Sequence, residues 1–170
     1  MANTYTLIQT IPVTGATATS IEFSSIPQTY TDLIVMVSGR ANDSALYAST
    51  KITFNSNATG YSGRYMQGDG ATSSGQSFAQ IVGFDPAATA TASIFSNATI
   101  YIPSYAGSTN KTYTVDCVSE NNASSGGTYQ VISAGYWGNT AAITTVTLAM
   151  IFGGSYVQYS SASLYGVRSS

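Results

Sequence analysis

The sequence predicts an all-β protein, and three observations support this fold class. No window of a dozen residues keeps a 3.6-residue apolar period, so helical patterning is missing. Serine, threonine, tyrosine, valine and isoleucine are abundant, as is typical of strands. Short apolar or alternating runs recur at intervals of about 10 to 20 residues, separated by clusters of glycine, asparagine, serine and proline. That spacing is typical of a β-sandwich or a β-barrel.

The apolar and alternating runs predict ten strands. The run at 31–38 is almost continuously apolar in its middle, which predicts a central strand covered on both faces. The run at 143–151 alternates, which predicts one buried and one milder face. The predicted strands, in chain order, are residues 4–11, 20–25, 31–38, 50–55, 77–82, 98–102, 111–120, 128–137, 143–151 and 161–167.

Turn-forming residues separate these runs. Glycine, asparagine and serine at 106–110 and 121–127 predict turns on either side of one long strand. Residues 40–48 and 68–76 are expected to form longer loops, the second rich in glycine and serine. No run is long enough to be an interdomain linker and no internal repeat is present, so residues 1–170 are predicted to form a single domain.

About ten strands favour two packed sheets over one. Eight of them in two antiparallel sheets would form a jelly roll, and a jelly-roll-like sandwich of 8 to 10 strands is the arrangement we expect. An immunoglobulin-like sandwich is the competing arrangement. Its Cys–Trp–Cys pattern cannot form here, because Cys117 is the only cysteine.

The chain is unusually poor in charge. Only 12 of its 170 residues are Asp, Glu, Lys or Arg, about 7% against roughly 25% in typical domains. The five cations are scattered without a basic stripe, so we expect no nucleic-acid binding. Isolated soluble domains usually keep charged surfaces against association. A chain with so few charges is therefore expected to have its faces covered by neighbouring molecules.

Localisation signals are also missing from the sequence. The first seven residues lack both the basic and the apolar region of a signal peptide. The longest apolar stretch, residues 33–37, is far too short to span a bilayer. We therefore expect a protein made in the cytoplasm, without a membrane partner.

The residue types needed for common catalysis are lacking. Without histidine, neither a Ser-His-Asp nor a Cys-His arrangement can form. A zinc site would rest on Cys117 and carboxylates alone. Asp116 and Glu120 would share a strand face about 13 Å apart, too far for a retaining glycosidase pair. The prediction is a non-enzymatic protein without a cofactor, in which Cys117 is a small buried strand residue.

Two acidic loops are candidate calcium sites. Asp43 lies in an Asn-Asp-Ser sequence and Asp69 in a Gly-Asp-Gly sequence, and both could offer oxygen ligands. Neither has the acid spacing of an EF-hand loop. Turns explain both sequences more simply, so no metal site is predicted.

Aromatic residues are the strongest candidates for a binding surface. Thirteen tyrosines and one tryptophan are present, several in or beside predicted loops. Tyrosine and tryptophan are favoured at interfaces because they combine apolar area with a hydrogen-bonding tip. The same side chains stack on sugar rings, and packing at the edge of a sandwich would account for them as well. The predicted contact residues are Tyr136, Trp137, Tyr105, Tyr61 and Tyr65.

Four segments resemble virion structural proteins of tailed phages, including cyanophages. They are TYTLIQTI at 4–11, IPQTYTDL at 26–33, IYIPSYAGS at 100–108 and VQYSSASLYGV at 157–167. The resemblance implies a virion component of the capsid decoration (cement) type, which would bind the major capsid protein and stabilise the shell. It also implies a β-sandwich and a homo-oligomer, with a trimer favoured. The alternative is a tail-fibre or receptor-binding domain that recognises a host surface glycan. A compact chain without a fibrous shaft favours the decoration protein.

Overall fold

The computed structural model describes residues 4–119 and 128–168. Within these residues there are fourteen strands and no helix, and hence no apolar helix long enough to cross a membrane. The strands are β1 Thr4–Pro12, β2 Thr17–Ala18, β3 Ser20–Phe23, β4 Asp32–Ser38, β5 Tyr47–Phe54, β6 Tyr61–Gly68, β7 Ser73–Ser77, β8 Ile81–Pro86, β9 Asn97–Ile102, β10 Lys111–Ser119, β11 Tyr129–Trp137, β12 Val146–Met150, β13 Tyr156–Val157 and β14 Ser161–Arg168.

The strands form two packed antiparallel sheets and one short pair. The larger sheet has the order β1-β14-β4-β9-β10-β11-β6-β7, and the smaller has the order β3-β12-β5-β8. β2 and β13 pair separately. The predicted all-β, two-sheet antiparallel sandwich is confirmed.

Eight of these strands have the connectivity of a jelly roll. The larger sheet contains β1-β14-β4-β9 as neighbours, and the smaller sheet is β3-β12-β5-β8. The chain crosses repeatedly between these two four-stranded groups, as two Greek keys require. We call these eight strands the framework. The hairpins β6–β7 and β10–β11 add four strands beside β9, and we call these four strands the extension.

The core lies between the two sheets. Alternate residues of β5 and β12 point inward, including Ile52, Phe54 and Leu148, and pack against Val35 and Ile100 of the larger sheet. Such alternation follows from the two-residue period of a strand. β4 is central, as predicted, but its two faces differ. Val35 is fully buried, whereas Met36 on the opposite face is exposed.

Nine of the ten predicted strands overlap an observed strand of matching position, and one prediction was wrong. The predicted strand at 77–82 straddles the end of β7, a turn and the start of β8. The glycine- and serine-rich segment 68–76, predicted as a loop, instead contains most of β7. Asp69 closes the β6–β7 turn by accepting hydrogen bonds from the backbone N–H groups of Ala71 and Thr72 at 2.9 and 2.7 Å. The predicted turn at 121–127 lies outside the described residues.

Candidate functional site

Most of the predicted aromatic contact residues are buried within the chain itself. Trp137 is 1% exposed and Tyr105 is fully buried, while Tyr65 is almost completely covered. Tyr61 is half-buried against the core. Only Tyr136 keeps a substantial exposed fraction, 39%. The expectation that these five side chains form a surface is therefore corrected for Trp137, Tyr105 and Tyr65.

Trp137 belongs to an aromatic cluster that closes one end of the core. Its ring stacks on Tyr61, with ring centroids 5.9 Å apart and an interplanar angle of 17°. The centroid of the Phe54 ring lies 5.6 Å from that of Trp137. The Trp137 Nε1 donates to the carbonyl of Thr59 at 3.2 Å. The Tyr61 hydroxyl accepts from the N–H of Phe54 at 2.7 Å, and burial raises the pKa of Tyr61 to about 12. The polar tips of Trp137 and Tyr61 are thus satisfied internally, which gives these two rings a structural role.

An apolar surface exists elsewhere, on the side of the larger sheet that faces away from the smaller one. We call this surface the outer face. It carries eight of the ten large apolar side chains that are exposed in the described residues, and only Phe152 and Tyr159 lie off it. The eight are Tyr5, Leu7, Met36, Met66, Tyr101, Val118, Ile132 and Tyr136.

The register of the strands assembles these side chains into rows. Met36 of β4 pairs with Thr99 of β9, which pairs with Asp116 of β10. Asp116 pairs with Ile132 of β11, and Ile132 pairs with Met66 of β6. Directly opposite residues in an antiparallel sheet point to the same face. One row across five strands is therefore largely apolar, with a single carboxylate in its middle.

Shallow grooves cross the outer face over the extension. One, of about 480 Å³, is bounded by Arg64, Thr112, Thr114 and Tyr136. A second, of about 500 Å³, lies on the other side of Thr114 and reaches Tyr101. Tyr101 and Tyr136 flank the threonine row of β10, and their Cα atoms are about 12 Å apart by strand spacing and rise.

Glycines form the floor of the first groove. Gly63 of β6 and Gly135 of β11 are directly paired. A Cβ atom on Gly135 would lie 2.0 Å from Cζ of Tyr113, so only glycine lets this ring pack beneath the strand. The Tyr113 hydroxyl is buried without a hydrogen-bond partner among the described residues. The groove is shallow because this ring fills the space under it.

Few charges lie on the outer face, and two of them are already engaged. The carboxylate of Asp32 accepts from the Tyr101 hydroxyl at 2.8 Å and from the N–H of Ser104 at 2.8 Å. The hydrogen bond to Asp32 raises the pKa of Tyr101 and fixes the direction of its ring. Arg64 donates to the carbonyl of Gly63 at 2.9 Å. The face therefore offers rigid apolar and hydroxyl groups rather than a charged patch.

Buried polar side chains around Asp85 form a hydrogen-bond network. The carboxyl of Asp85 accepts from the hydroxyls of Thr50 and Ser96, and its burial raises the pKa of Asp85. Cys117 is buried on β10, as predicted, and its thiol donates to the carbonyl of Phe84 at 3.6 Å. Burial, with a smaller contribution from Asp85, raises the pKa of Cys117 to about 12. The thiol is thus protonated and hidden from solvent.

Two of the five cationic side chains stabilise loops through hydrogen bonds to backbone carbonyls. The sequence analysis did not predict this role. Arg40 donates to four carbonyls between residues 87 and 94, including Ala87 at 2.9 Å and Thr91 at 2.8 Å. Lys111 donates to Gly107 at 2.7 Å, and also to Thr109. Nothing in the sequence marks these residues, because carbonyl acceptors come from backbone that only the fold brings near.

The two acidic loops have different structural roles. Asp69 closes the β6–β7 turn described above, and these hydrogen bonds lower the pKa of Asp69. In the other loop, Asn42 accepts from the N–H of Ser155 at 2.8 Å. Across residues 4–119 and 128–168, no three histidine, cysteine or acidic side chains lie close enough together to hold a metal ion.

Comparison of the chain with family models, with curated proteins and with solved structures finds no match.

Proposed function

We propose that the protein is a structural component of a phage virion that decorates the capsid, and that the outer face is its docking surface. The observation that carries the proposal is the concentration of exposed apolar side chains on this one face. Monomeric proteins rarely expose large contiguous apolar patches, and such patches mark interaction sites. The resemblance of four segments to tailed-phage virion proteins supplies the class of partner, the major capsid protein. The proposal involves no catalytic step.

The size of the outer face suits a protein partner. The five neighbouring strands β4, β9, β10, β11 and β6 span about 24 Å at a spacing near 4.8 Å, and their six to nine residues extend for about 20 to 30 Å. The resulting plan area of about 600 Å² lies near the 800 Å² that a standard interface buries on each partner. Side-chain relief increases the contact area further. A partner with a flat or gently convex apolar surface would fit best.

Binding at several symmetric sites can compensate for weak contacts at each site. A capsid presents identical sites in symmetric arrays, so a decoration protein that self-associates can bind several sites at once. Low charge suits this setting, because binding that depends little on ion pairs changes little with salt. Location in the virion and association with further copies of the chain are parts of the same proposal.

The proposal is tested by cosedimentation with shells assembled from phage major capsid protein. Ile132→Glu places a second carboxylate directly opposite Asp116, and Met66→Lys places a cation beside position 132 on β6. We expect each to weaken binding by about tenfold or more, since an uncompensated charge would be buried in the contact. Phe152→Lys is the matched control, because Phe152 is 80% exposed but lies off this face. Wild type and the control should bind equally well in low and high salt.

Two outcomes would contradict the proposal. One is the absence of any binding by the wild-type chain to shells. The other is binding that survives both outer-face substitutions. In purified particles, quantitative mass spectrometry should find hundreds of copies, since a count in the tens would indicate a tail component instead.

The grooves of the extension favour a second candidate function, recognition of a host surface glycan. Tyr101 and Tyr136 flank the hydroxyls of Thr112 and Thr114, and a chain of sugars could stack on both rings while hydrogen bonding between them. Binding to a glycan array, lost in Tyr101→Ala and Tyr136→Ala but retained in Phe152→Ala, would support this function. Absence of binding to every glycan would remove it.

A further inference from the structure

The four outer edges of the two main sheets are protected to very different degrees. β3 is four residues long and carries Glu22, and β8 is buried along its whole length. β7 is exposed but polar, with Gly75 at its centre. Short, charged or covered strands are the usual protection against unwanted pairing. β1 has none of these protections over its first half.

β1 combines length, exposure and apolar side chains. It has nine residues without a charge and pairs only with β14 among the described strands. Tyr5 is 60% exposed and Leu7 is 53% exposed, and both lie on the outer face. A bulge at Ile8 and a proline at position 12 interrupt the second half of the strand. From Thr4 to Leu7 the strand is regular, and its outer edge has no partner among residues 4–119 and 128–168.

We propose that β1 pairs antiparallel with β1 of a second copy, around a two-fold axis at Thr6. This axis places Tyr5 opposite Leu7 of the partner subunit, and Leu7 opposite Tyr5 of the partner subunit. Both pairs lie on the outer face, because opposite residues of an antiparallel pair share a face. An aromatic–aliphatic cross-strand pair is thus formed twice, which makes the edge complementary to itself.

The pairing joins the two larger sheets into one continuous sheet of sixteen strands. A two-fold axis perpendicular to the sheet keeps both outer faces on the same side, so the dimer presents one double-width surface. The inference goes beyond the proposed function, because it needs neither a capsid nor a glycan. It predicts a dimer where the resemblance to phage proteins implies a trimer.

Sedimentation analysis of the full chain tests the pairing by its concentration dependence. We expect the wild type to change from monomer to dimer between about 1 and 100 µM, a range typical of modest interfaces. Leu7→Lys should raise the dissociation constant by at least about tenfold, because it replaces an apolar cross-strand contact with a charge at the edge. Gln76→Lys places the same charge on the opposite edge, β7, and should leave dimerisation unchanged. The double variant Tyr5→Glu/Leu7→Lys puts opposite charges across the axis and should restore much of the affinity.

Disulfide trapping tests the register. Residues on the axis of an antiparallel pair lie about 4.5 to 5.5 Å apart at their Cα atoms, within the span of a disulfide. Thr6→Cys should therefore form a covalent dimer rapidly under mild oxidation. Gln76→Cys is the control, and Cys117 is buried and should not interfere.

The possible results separate clearly. A wild-type chain that stays monomeric at all concentrations overturns the proposal, as does a dimer that persists fully in Leu7→Lys. Crosslinking of Gln76→Cys as fast as Thr6→Cys would likewise exclude the two-fold axis. Circular dichroism of each variant shows that it is folded, and crosslinking of Thr6→Cys remains decisive if Leu7→Lys does not fold. Shell binding without dimerisation would contradict this inference alone. Dimerisation without shell binding would contradict only the proposed function.

Discussion

The two faces of β10 and β11 differ completely, although alternate residues of the same two strands form them. The inner face holds Tyr113, Val115, Cys117, Val131 and Trp137, all buried against the smaller sheet. The outer face holds Thr112, Thr114, Asp116, Ile132 and Tyr136. An antiparallel sheet with one solvated face normally shows polar residues there, so the exposed Ile132 and Tyr136 are exceptional. The inner face stabilises the fold and the outer face is the proposed docking surface, so substitutions should affect stability and binding separately.

The largest expected difference in stability is between substitutions of two adjacent aromatic residues. Trp137→Ala empties the middle of an aromatic cluster and should lower the free energy of unfolding by about 3 to 5 kcal/mol. Tyr136→Ala removes a side chain of similar kind from the outer face, where little packing is lost, and should cost less than about 1 kcal/mol. Urea unfolding of both variants measures the contrast. Equal losses would mean that the outer face is also structural.

A glycine on the inner face should show the next largest effect. Gly135→Ala pushes a methyl group into the ring of Tyr113, so we expect a loss of about 1 to 3 kcal/mol from overpacking. Ala134→Ser is the matched control, because Ala134 is its exposed neighbour on the outer face. Denaturant unfolding should place the control within about 0.5 kcal/mol of wild type. A harmless Gly135→Ala would show that the ring beneath the groove can move aside.

The buried carboxyl of Asp85, beneath the extension, should make the stability of the protein depend on pH. Burial raises its pKa in the folded protein above the ordinary value of 3.8, so the folded state keeps its proton after the unfolded chain has lost it. Stability from this group is full below pH 3.8 and declines as pH rises towards the folded pKa, by about 1.4 kcal/mol per pH unit. Asp85→Asn should flatten this decline in melts across pH 4 to 7. An unchanged slope would show that other groups cause it.

The smallest expected effect on stability is a gain, whereas the substitutions above destabilise the protein. Tyr113→Phe removes a buried hydroxyl that has no partner among the described residues, and should raise stability by about 0.5 to 1 kcal/mol. Tyr61→Phe is the control, because its hydroxyl accepts a hydrogen bond from Phe54. That variant should lose about 1 kcal/mol in the same unfolding assay. Loss of stability in both would mean that the Tyr113 hydroxyl has a partner.

Sequence patterns predicted the strands whose side chains alternate cleanly between core and solvent. β10 and β11 were found for this reason, since every second residue of each is buried. β6 was missed because its exposed positions include Met66, while Gly63 occupies an inward position. Apolar alternation fails there because the outer face is itself apolar. The missed strand therefore belongs to the candidate site.

The candidate site could be predicted only in part, because the sequence does not give the direction of each side chain. Tyr136 and Trp137 are adjacent at the end of a predicted strand, so one must point into the core and the other outward, but the sequence does not say which. Register decides between them, and register depends on the partner strands. The outer face was beyond prediction for the same reason, since its exposed apolar residues come from six strands. From composition we predicted binding through aromatic and apolar side chains with little charge, and this stays a prediction.

The pairing of β1 with β14 has a consequence for how the chain is made. Thr4 pairs with Arg168, so β1 can pair only after β14 has been synthesised, whereas β4 can pair first with β9. Contacts between such distant segments slow folding and prolong exposure of unpaired strands. β9, β10 and β11 pair in sequence order and can form first. During synthesis β9, β10 and β11 are thus expected to form a meander early, and β1 is expected to dock last, after β14.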